Sequence, residues 1–328
     1  KKGTLTLAWA TAARNNYVSC HGGLKIFRKE GDSYVASFFG LSGSGKSTLT
    51  HAKHDDKYDI EVLHDDAFVI SVEDGSSVAL EPSYFDKTND YPAGHREQDY
   101  FVTVQNCGVT LDENGRKVLV TEDIRNGNGR TVKSRYSTPN RVDKIQEPIQ
   151  SIFWIMKDDA LPPLVKITDP RLASILGCTL MTKRSTAENT GAGANLDALV
   201  IEPYANPFRV YPLVEDYEKF KALFDKGVDC YIINTGDFLG KKVTKEVSLG
   251  VIETIVDGKA NFELFGGLPG MEYLPVEGYE VPDMNGEYAE LIRDRMQFRL
   301  DYLKAFNDAN PEHQIPQDAL ESIKTIER

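Results

Sequence analysis

The chain has 328 residues, which is enough for one large or two modest domains with a substantial buried core. Its 50 acidic and 38 basic residues give a net charge of −12, which argues against general binding to nucleic acids or anionic membranes. The four cysteines are far apart and form no CxxC pair, and neither a signal peptide nor a membrane-spanning apolar run is visible. We therefore expect a cytoplasmic protein with reduced thiols, not a disulfide framework or a zinc site.

The first predicted elements lead up to a glycine-rich loop. Residues 5–13 are apolar and small, a composition that suits either a helix or a buried strand. Residues 17–27 are strand-like but interrupted by glycines, and residues 33–39 are rich in β-forming side chains and predict a strand. Residues 58–66 form another short β-type run, which ends in two carboxylates.

The rest of the chain changes from β-rich to helical. Residues 98–155 contain turn sequences between strand-like runs, as hairpins require. A surface helix is predicted at residues 287–307, with one apolar stripe formed by Ile292, Met296, Leu300 and Leu303. The other predicted elements are helices at 170–181, 217–225 and 244–256, a buried strand at 228–233 and a glycine- and proline-rich loop at 262–281.

The loop after residue 39 matches a complete phosphate-loop motif. Gly40, Gly45, Lys46 and Ser47 satisfy the pattern of a glycine, four residues, and then Gly-Lys-Ser/Thr. Glycines let backbone N–H groups turn toward phosphate oxygens, Lys46 reaches the outer phosphates, and the Ser47 hydroxyl can ligate a divalent metal. An ordinary flexible Gly/Ser loop is the alternative, and the flanking strand and helix favour the motif. The candidate nucleotide-binding residues of the loop are Gly40, Leu41, Ser42, Gly43, Ser44, Gly45, Lys46, Ser47 and Thr48.

Two acidic residues follow the next strand-like run. Asp65 and Asp66 stand at its tip, where an acid can hold the metal of a nucleotide directly or through water. A polar strand end or an Asp cap is the alternative. We favour the metal role because a phosphate loop requires such an acid.

These features together predict an α/β fold. We expect a mixed β-sheet domain that contains a phosphate loop, with a β-rich insertion and C-terminal helices. Residues 1–281 are expected to form a nucleotide- and metal-binding domain, and residues 282–328 a helical segment packed on it.

The run FFGLSGSGKSTL at residues 38–49 closely resembles the kinase motif of the ATP-type phosphoenolpyruvate carboxykinases. The resemblance implies an enzyme that converts oxaloacetate and ATP to phosphoenolpyruvate, carbon dioxide and ADP. It also implies ATP, Mn²⁺ and Mg²⁺ as cofactors, adenine preferred over guanine, and a small-molecule substrate. The resemblance covers roughly residues 1–256, with a helical echo at residues 287–307.

Three further positions resemble the metal ligands of this family. The opening Lys-Lys-Gly is similar to a family segment whose second lysine binds manganese, and His21 falls at the position of the family's manganese-binding histidine. His-Asp-Asp at residues 64–66 is similar to the family's Gly-Asp-Asp, whose second aspartate completes the site. The resemblance thus implies a manganese site of Lys2, His21 and Asp66 facing the γ-phosphate, with magnesium on Ser47. The alternatives are a solvated Lys2 and a core or surface His21.

Other resemblances concern phosphoryl transfer and base recognition. Arg135 is similar to a family arginine that stabilises the transferring phosphoryl group, with a solvent-facing strand arginine as the alternative. Lys87 matches a family Tyr-x-Lys-Thr lysine near the phosphates, although one extra residue intervenes here. Lys242 stands where the family has an arginine packed by the adenine, and Ser248 where it tends to have threonine.

Two other functions stay open at this point. The chain could be a phosphate-loop kinase with another small-molecule or protein acceptor, or a non-catalytic nucleotide-binding module. The sequence begins near the middle of a typical family chain, and no residue matches the family's oxaloacetate-binding arginine and tyrosine. We therefore expect these 328 residues alone to bind MgATP without converting oxaloacetate at a useful rate.

Overall fold

The computed structural model of the chain describes residues 2–41, 43–63, 66–81, 83–87, 108–119, 130–134, 140–183 and 198–327, with only the backbone described at residues 2, 83–87, 130–134 and 325–327. Its helices are α1 (Lys2–Arg14), α2 (Lys46–His51), α3 (Pro170–Cys178), α4 (Leu213–Asp225), α5 (Lys245–Val256), α6 (Gly286–Ala309) and α7 (Gln317–Glu327). The first strands are β1 (Tyr17–His21), β2 (Gly23–Lys29), β3 (Asp32–Phe39), β4 (Asp59–Leu63), β5 (Ala67–Ser71), β6 (Ser77–Ala79), β7 (Ser83–Lys87), β8 (Val109–Leu111), β9 (Lys117–Leu119), β10 (Arg130–Ser134), β11 (Arg141–Val142) and β12 (Lys144–Ile145). The later strands are β13 (Ser151–Met156), β14 (Leu164–Ile167), β15 (Met181–Lys183), β16 (Leu199–Ile201), β17 (Asp229–Asn234), β18 (Asp237–Phe238), β19 (Lys241–Lys242), β20 (Glu263–Leu264) and β21 (Met271–Tyr273).

A nine-stranded mixed sheet forms the centre of the fold, in agreement with the predicted α/β class. Its strand order is β11-β4-β2-β3-β13-β17-β14-β21-β20. Strands β3, β13 and β17 run parallel to one another, whereas β2 and β14 are antiparallel to their neighbours. Because the carboxyl ends of parallel strands meet at one edge, the loops after these three strands lie together.

Both faces of the central sheet are buried. Phe38 and Phe153 stack on one face, with ring centroids 5.0 Å apart. The next residue along each strand, Phe39 and Trp154, lies on the opposite face, with centroids 5.2 Å apart. Successive side chains of a strand point to opposite faces, so continuous apolar runs such as β13 are expected in a sheet covered on both sides. Helices α3 and α4 contribute to the core on one side, and α2 and α5 to the core on the other.

A second, four-stranded antiparallel sheet adjoins the first, in the order β1-β5-β6-β12. The chain passes from this sheet to the central one between β1 and β2, and returns to this sheet between β4 and β5. His21 at the end of β1 pairs with Ala67 at the start of β5. This register brings the end of β1 to the bend between β4 and β5.

The C-terminal helices pack on the larger of the two cores, called the main core, which contains Phe39 and Trp154. The predicted stripe Ile292, Met296, Leu300 and Leu303 of α6 is buried there. Arg295 of α6 forms ion pairs with Asp158 at 3.0 Å and Asp159 at 2.9 Å in the loop after β13. The domain boundary near residue 281 stays a prediction. In the described part of the chain, no helix combines the length and the apolar character needed to cross a bilayer.

Several predicted elements differ from the structure in extent. Residues 5–13, whose composition suited either a helix or a buried strand, belong to a helix that spans residues 2–14. The helix predicted to reach residue 181 ends at Cys178, because Met181 already pairs with Ile201 in β15 and β16. The loop predicted at 262–281 contains two short strands, β21 and the edge strand β20. Much of the β-rich segment at 98–155 lies outside the described residues, but the turn after β8 joins two strands as predicted.

Candidate functional site

The glycine-rich loop joins β3 to α2 at the boundaries that the motif predicts. A Cβ at Gly40 would lie 2.3 Å from the Ser44 hydroxyl oxygen and 2.9 Å from Cβ of Ile155, so no larger residue fits there. Gly43 and Gly45 have φ angles of 77° and 97°, which residues with side chains rarely adopt. Three glycines of the loop, two of them motif residues, are therefore required by local geometry. Phosphate binding itself stays a prediction at this point.

Side chains from two neighbouring strands hold the outside of this loop. Lys157 Nζ donates to the Gly43 carbonyl oxygen at 2.7 Å, and Thr235 Oγ1 donates to the Ser44 carbonyl oxygen at 2.6 Å. Lys157 follows β13 and Thr235 follows β17, the two strands parallel to β3 on one side. The backbone of the loop is thus fixed by donors that lie outside the motif.

Lys46, the motif lysine, forms an ion pair with Asp66. Its Nζ lies 2.9 Å from Asp66 Oδ1, and Lys46 is only 9% exposed. Strand β4, which precedes Asp66, is not a neighbour of β3, because β2 lies between them. The two residues meet because the Gly22 N–H donates to the Asp66 carbonyl oxygen at 2.9 Å, beside the carboxyl end of β3.

The Asp66 carboxyl is held in its ionised form. Desolvation raises the pKa of this group, but the charges of Lys46 and His21 together outweigh the effect. The pKa of Asp66 therefore lies well below the usual range. About half of the side chain, 51%, is accessible. An ionised, accessible carboxylate beside the motif lysine is suited to hold a cation.

His21 is oriented by a backbone carbonyl. Its Nδ1 lies 2.6 Å from the Ala205 carbonyl oxygen, which can only accept, so Nδ1 carries the proton. The ring is flanked edge-on by Trp9 and Phe208, with centroids 6.2 and 5.5 Å away. The bond to Ala205 leaves Nε2 as the basic nitrogen. A histidine whose other nitrogen donates to a carbonyl has the arrangement usual for a metal ligand.

The described residues supply two of the three predicted manganese ligands, His21 and Asp66. These two are brought together by the pairing of β1 with β5. Lys2 begins α1, and its side chain lies outside the described residues, as does Asp65. Within the described ranges, no three His, Cys, Asp or Glu side chains form a metal-binding group. Ser47 is exposed in the first turn of α2, so its hydroxyl is accessible.

Lys242 lies beside the loop, and Ser248 does not present its hydroxyl to it. Lys242 Nζ donates to the Thr235 carbonyl oxygen at 3.1 Å. Burial, and then the charge of Lys242, lower the pKa of Lys157, so these two cations are close together. Ser248 is 3% exposed, and its hydroxyl donates to the Thr244 carbonyl oxygen within α5 at 3.1 Å.

The remaining predicted positions are only partly described. The backbone of Lys87 belongs to β7 and pairs with Arg130 of β10. The side chain of Lys87 lies outside the described residues, as do Arg135 and Ser42. Leu41 is half-buried against the main core, and Thr48 is exposed in the first turn of α2.

Comparison with known protein families identifies the family of the chain. The family model described as phosphoenolpyruvate carboxykinase, of the ATP type, matches residues 1–284. The chain belongs to the ATP-type phosphoenolpyruvate carboxykinase family. The resemblance noted in the glycine-rich loop is therefore confirmed at the level of the family.

One curated member of the phosphoenolpyruvate carboxykinase family to which the chain is similar is the phosphoenolpyruvate carboxykinase (ATP) of Aeropyrum pernix. The two are 23% identical over 317 residues, which cover 86% of this chain and 60% of the relative. The chain thus spans about 60% of the length of this relative.

Several residues of the candidate site were missed in the sequence. Lys157 and Thr235 each come directly after a buried apolar strand, and this position at the sheet edge is the signal that could have identified them. Ala205 carries no such signal. Its backbone has a φ angle of 53°, and its carbonyl meets a histidine 184 positions earlier in the chain.

Proposed function

We propose that this chain carries the nucleotide- and metal-binding machinery of an ATP-dependent phosphoenolpyruvate carboxykinase. The reaction is the conversion of oxaloacetate and ATP to phosphoenolpyruvate, carbon dioxide and ADP. One observation carries the proposal: Lys46 of the phosphate-loop motif lies 2.9 Å from Asp66, whose pKa is also lowered by His21. A phosphate-binding cation and two metal-ligand types therefore occupy one site.

Two cations are assigned to this site. Lys2, His21 and Asp66 would hold Mn²⁺, and the bond from His21 to Ala205 supports this assignment. Ser47 and Asp65 would hold Mg²⁺ with the nucleotide. When bound, the two metals neutralise charge on the phosphate oxygens. A lysine ligates a metal only as the neutral amine, and a neighbouring cation favours loss of its proton.

Lys46 and Asp66 exchange partners when the nucleotide binds. In the free protein each neutralises the other, so neither charge is buried without a partner. Phosphate oxygens offer Lys46 a more negative partner, and the Asp66 carboxylate is then released toward its cation. Since the pKa of Asp66 is low, this carboxylate needs no deprotonation first.

The remaining residues orient and neutralise the substrates. The backbone N–H groups of the loop and Lys46 hold the β- and γ-phosphates, while Arg135 and Lys87 neutralise the transferring group. Lys242 packs by the adenine. Ser248 would complete that part of the nucleotide site less directly, because its hydroxyl is engaged within α5.

The reaction combines a decarboxylation with a phosphoryl transfer. The bond between the departing carboxylate and its neighbouring carbon breaks, carbon dioxide leaves, and the electron pair forms an enolate. The enolate oxygen attacks the γ-phosphorus, and the bond to the bridging oxygen of ADP breaks. Most of the acceleration would come from holding these atoms in line within a cationic site.

Two broader features belong to the same proposal. We place the C-terminal boundary of the nucleotide- and metal-binding domain at residue 281, with 282–328 as a helical segment, and the buried stripe of α6 supports this packing. We place the protein in the cytoplasm, and Cys20, Cys178 and Cys230, which are buried free thiols, support this placement.

The test is an assay of the natural full-length protein with oxaloacetate, MgATP and Mn²⁺. Phosphoenolpyruvate should form, and Lys46→Ala should reduce the rate by roughly 100-fold or more, because a phosphate-binding cation is lost. Lys304→Ala, an exposed position on α6, serves as the matched control. Binding of MgATP without phosphoenolpyruvate formation would overturn the proposal and favour a kinase with another acceptor or a nucleotide-binding module.

A further inference from the structure

A fully buried lysine lies behind the phosphate-loop helix. Lys25 of β2 has 0% exposure. Its Nζ lies 2.7 Å from the carbonyl oxygen of Leu49, 3.3 Å from that of Ala52 and 2.9 Å from Nε2 of His54. Both carbonyls belong to the C-terminal end of α2, where a helix leaves its last carbonyl groups without helical partners.

The third partner of Lys25 is itself held from a different helix. His54 Nδ1 lies 2.9 Å from Glu253 Oε1 on α5. A carboxylate accepts, so the proton of the neutral ring is on Nδ1, and Nε2 accepts from Lys25. Lys25 therefore faces three acceptors, which match the three N–H groups of an ammonium ion. Burial lowers the pKa of Lys25 to about 7, against the opposing charge of Glu253, and the three acceptors favour the charged form.

The turn that carries His54 has an unusual backbone. His54, Asp55 and Asp56 have φ angles of 53°, 52° and 58°, three successive left-handed residues without a glycine. Such conformations cost free energy and persist only where surrounding contacts impose them. The contacts of His54 with Lys25 and Glu253 are among those constraints.

Helix α2 depends on such contacts for its position. It has six residues and no side-chain cap at its N-terminus. Isolated helices of this length are not stable in water, so tertiary contacts fix the orientation of α2. It also packs closely on β2, because a Cβ at Gly23 would lie 2.0 Å from the Thr50 hydroxyl oxygen.

We propose that Lys25 is a positioning residue for the phosphate loop. Together with His54 it anchors the C-terminal end of α2 to β2 and α5, and thereby fixes Lys46 and Ser47 in the first turn of the same helix. Lys25 does not touch the nucleotide. The inference rests on the proposed function, because it assigns nucleotide binding to α2.

The experiment uses three variants of the full chain. Lys25→Met removes all three donors and keeps an unbranched stem against Phe27, whose ring centroid lies 4.6 Å from Nζ. His54→Leu removes both bonds of the imidazole. His54→Gln is the conservative variant, because an amide can accept from Lys25 and donate to Glu253.

Two measurements separate anchoring from function. Amide hydrogen exchange of residues 46–51 in the ligand-free protein reports on α2 directly, and titration calorimetry reports on MgATP binding. Lys25→Met and His54→Leu should speed exchange, and each should weaken MgATP binding by about 10-fold. The reason is that each variant loses charge-assisted hydrogen bonds that hold α2. His54→Gln should stay within about threefold of the wild type in both measurements.

A stability control distinguishes anchoring from general loosening. Leu303→Ala removes a fully buried side chain of α6 and lowers thermal stability without touching α2. This variant should keep wild-type exchange at residues 46–51 and wild-type MgATP affinity.

The other possible outcomes test either the anchoring role of Lys25 or the proposed function. Unchanged exchange in Lys25→Met and His54→Leu overturns the anchor, as does altered exchange with unchanged MgATP affinity. Failure of the wild type to bind MgATP, with the expected exchange pattern, overturns the proposed function and leaves the anchor standing. If Lys25→Met does not fold, the comparison of His54→Leu with His54→Gln decides.

Discussion

Lys46 and Asp66 keep opposite charges paired at the proposed nucleotide site. Lys46 is nearly buried, and a buried ammonium without a partner is costly. Asp66 neutralises it and is itself kept ionised by Lys46 and His21. The free site therefore holds its charged groups ready without leaving any of them isolated.

Replacing His21 tests the metal assignment at a single residue. His21→Ala removes the imidazole that Ala205 orients, so Mn²⁺ affinity should fall by roughly 10- to 100-fold or more. Titration calorimetry with Mn²⁺ measures it. His313→Ala, an exposed histidine after α6, should bind Mn²⁺ like the wild type. Unchanged affinity in His21→Ala would make His21 a packing residue held between Trp9 and Phe208.

The loop between β3 and α2 is an element held largely from outside. Its motif accounts for the glycines, but Lys157 and Thr235 fix two of its carbonyl groups. Both donors come from the parallel strands beside β3. The position of the loop backbone is thus fixed by residues at the edge of the sheet.

Lys157→Met tests this clamp. The variant loses the donor to the Gly43 carbonyl, so MgATP affinity should fall by about 10-fold, the range expected for one hydrogen bond from a charged group. Isothermal titration compares it with Lys221→Met, which removes a lysine paired with Asp225 on α4. Equal affinities in the two variants would show that the clamp adds nothing to binding.

Local sequence patterns predicted the elements that carry the site. The β-rich run before Gly40 and the motif glycines placed the loop, because their signals lie within a few residues. The stripe on α6 was equally readable from its spacing.

Non-local contacts were not predictable in the same way. The strand order that puts β2 between β4 and β3 cannot be read from any single segment. Lys25 resembles an exposed strand lysine, since its burial depends on acceptors 24 to 29 positions away. The Ala205 carbonyl reaches His21 only through tertiary folding.

On the scale of the whole molecule, buried titratable groups make stability depend on pH. Burial, and then the charge of Lys25, lower the pKa of His54 from 6.5 to about 4. Between these values the unfolded chain binds more protons than the folded one, so stability rises with pH across this window and is lost on acidification. A protonated His54 would face the Lys25 ammonium at 2.9 Å.

His54→Gln should remove this dependence. Relative to the variant, the wild type should lose on the order of 3 kcal/mol of unfolding free energy between pH 6.5 and pH 4. Urea denaturation of both proteins across this range measures the difference, in which contributions from groups remote from His54 cancel. A difference that does not change with pH would show that His54 is protonated as easily in the folded protein as in the unfolded one.

The pairing of Lys46 with Asp66 has a consequence for how two ligands affect each other's affinity. A nucleotide that engages Lys46 frees Asp66, and a cation that engages Asp66 frees Lys46. Coupling free energies are reciprocal, so Mn²⁺ and MgATP should tighten one another by the same factor, about 5- to 150-fold. Mn²⁺ titrations with and without MgATP measure this factor, which should approach one in Asp66→Asn. A wild-type factor of one would contradict this expected coupling. With the expected coupling, the internal ion pair makes the protein respond strongly only when both ligands are present.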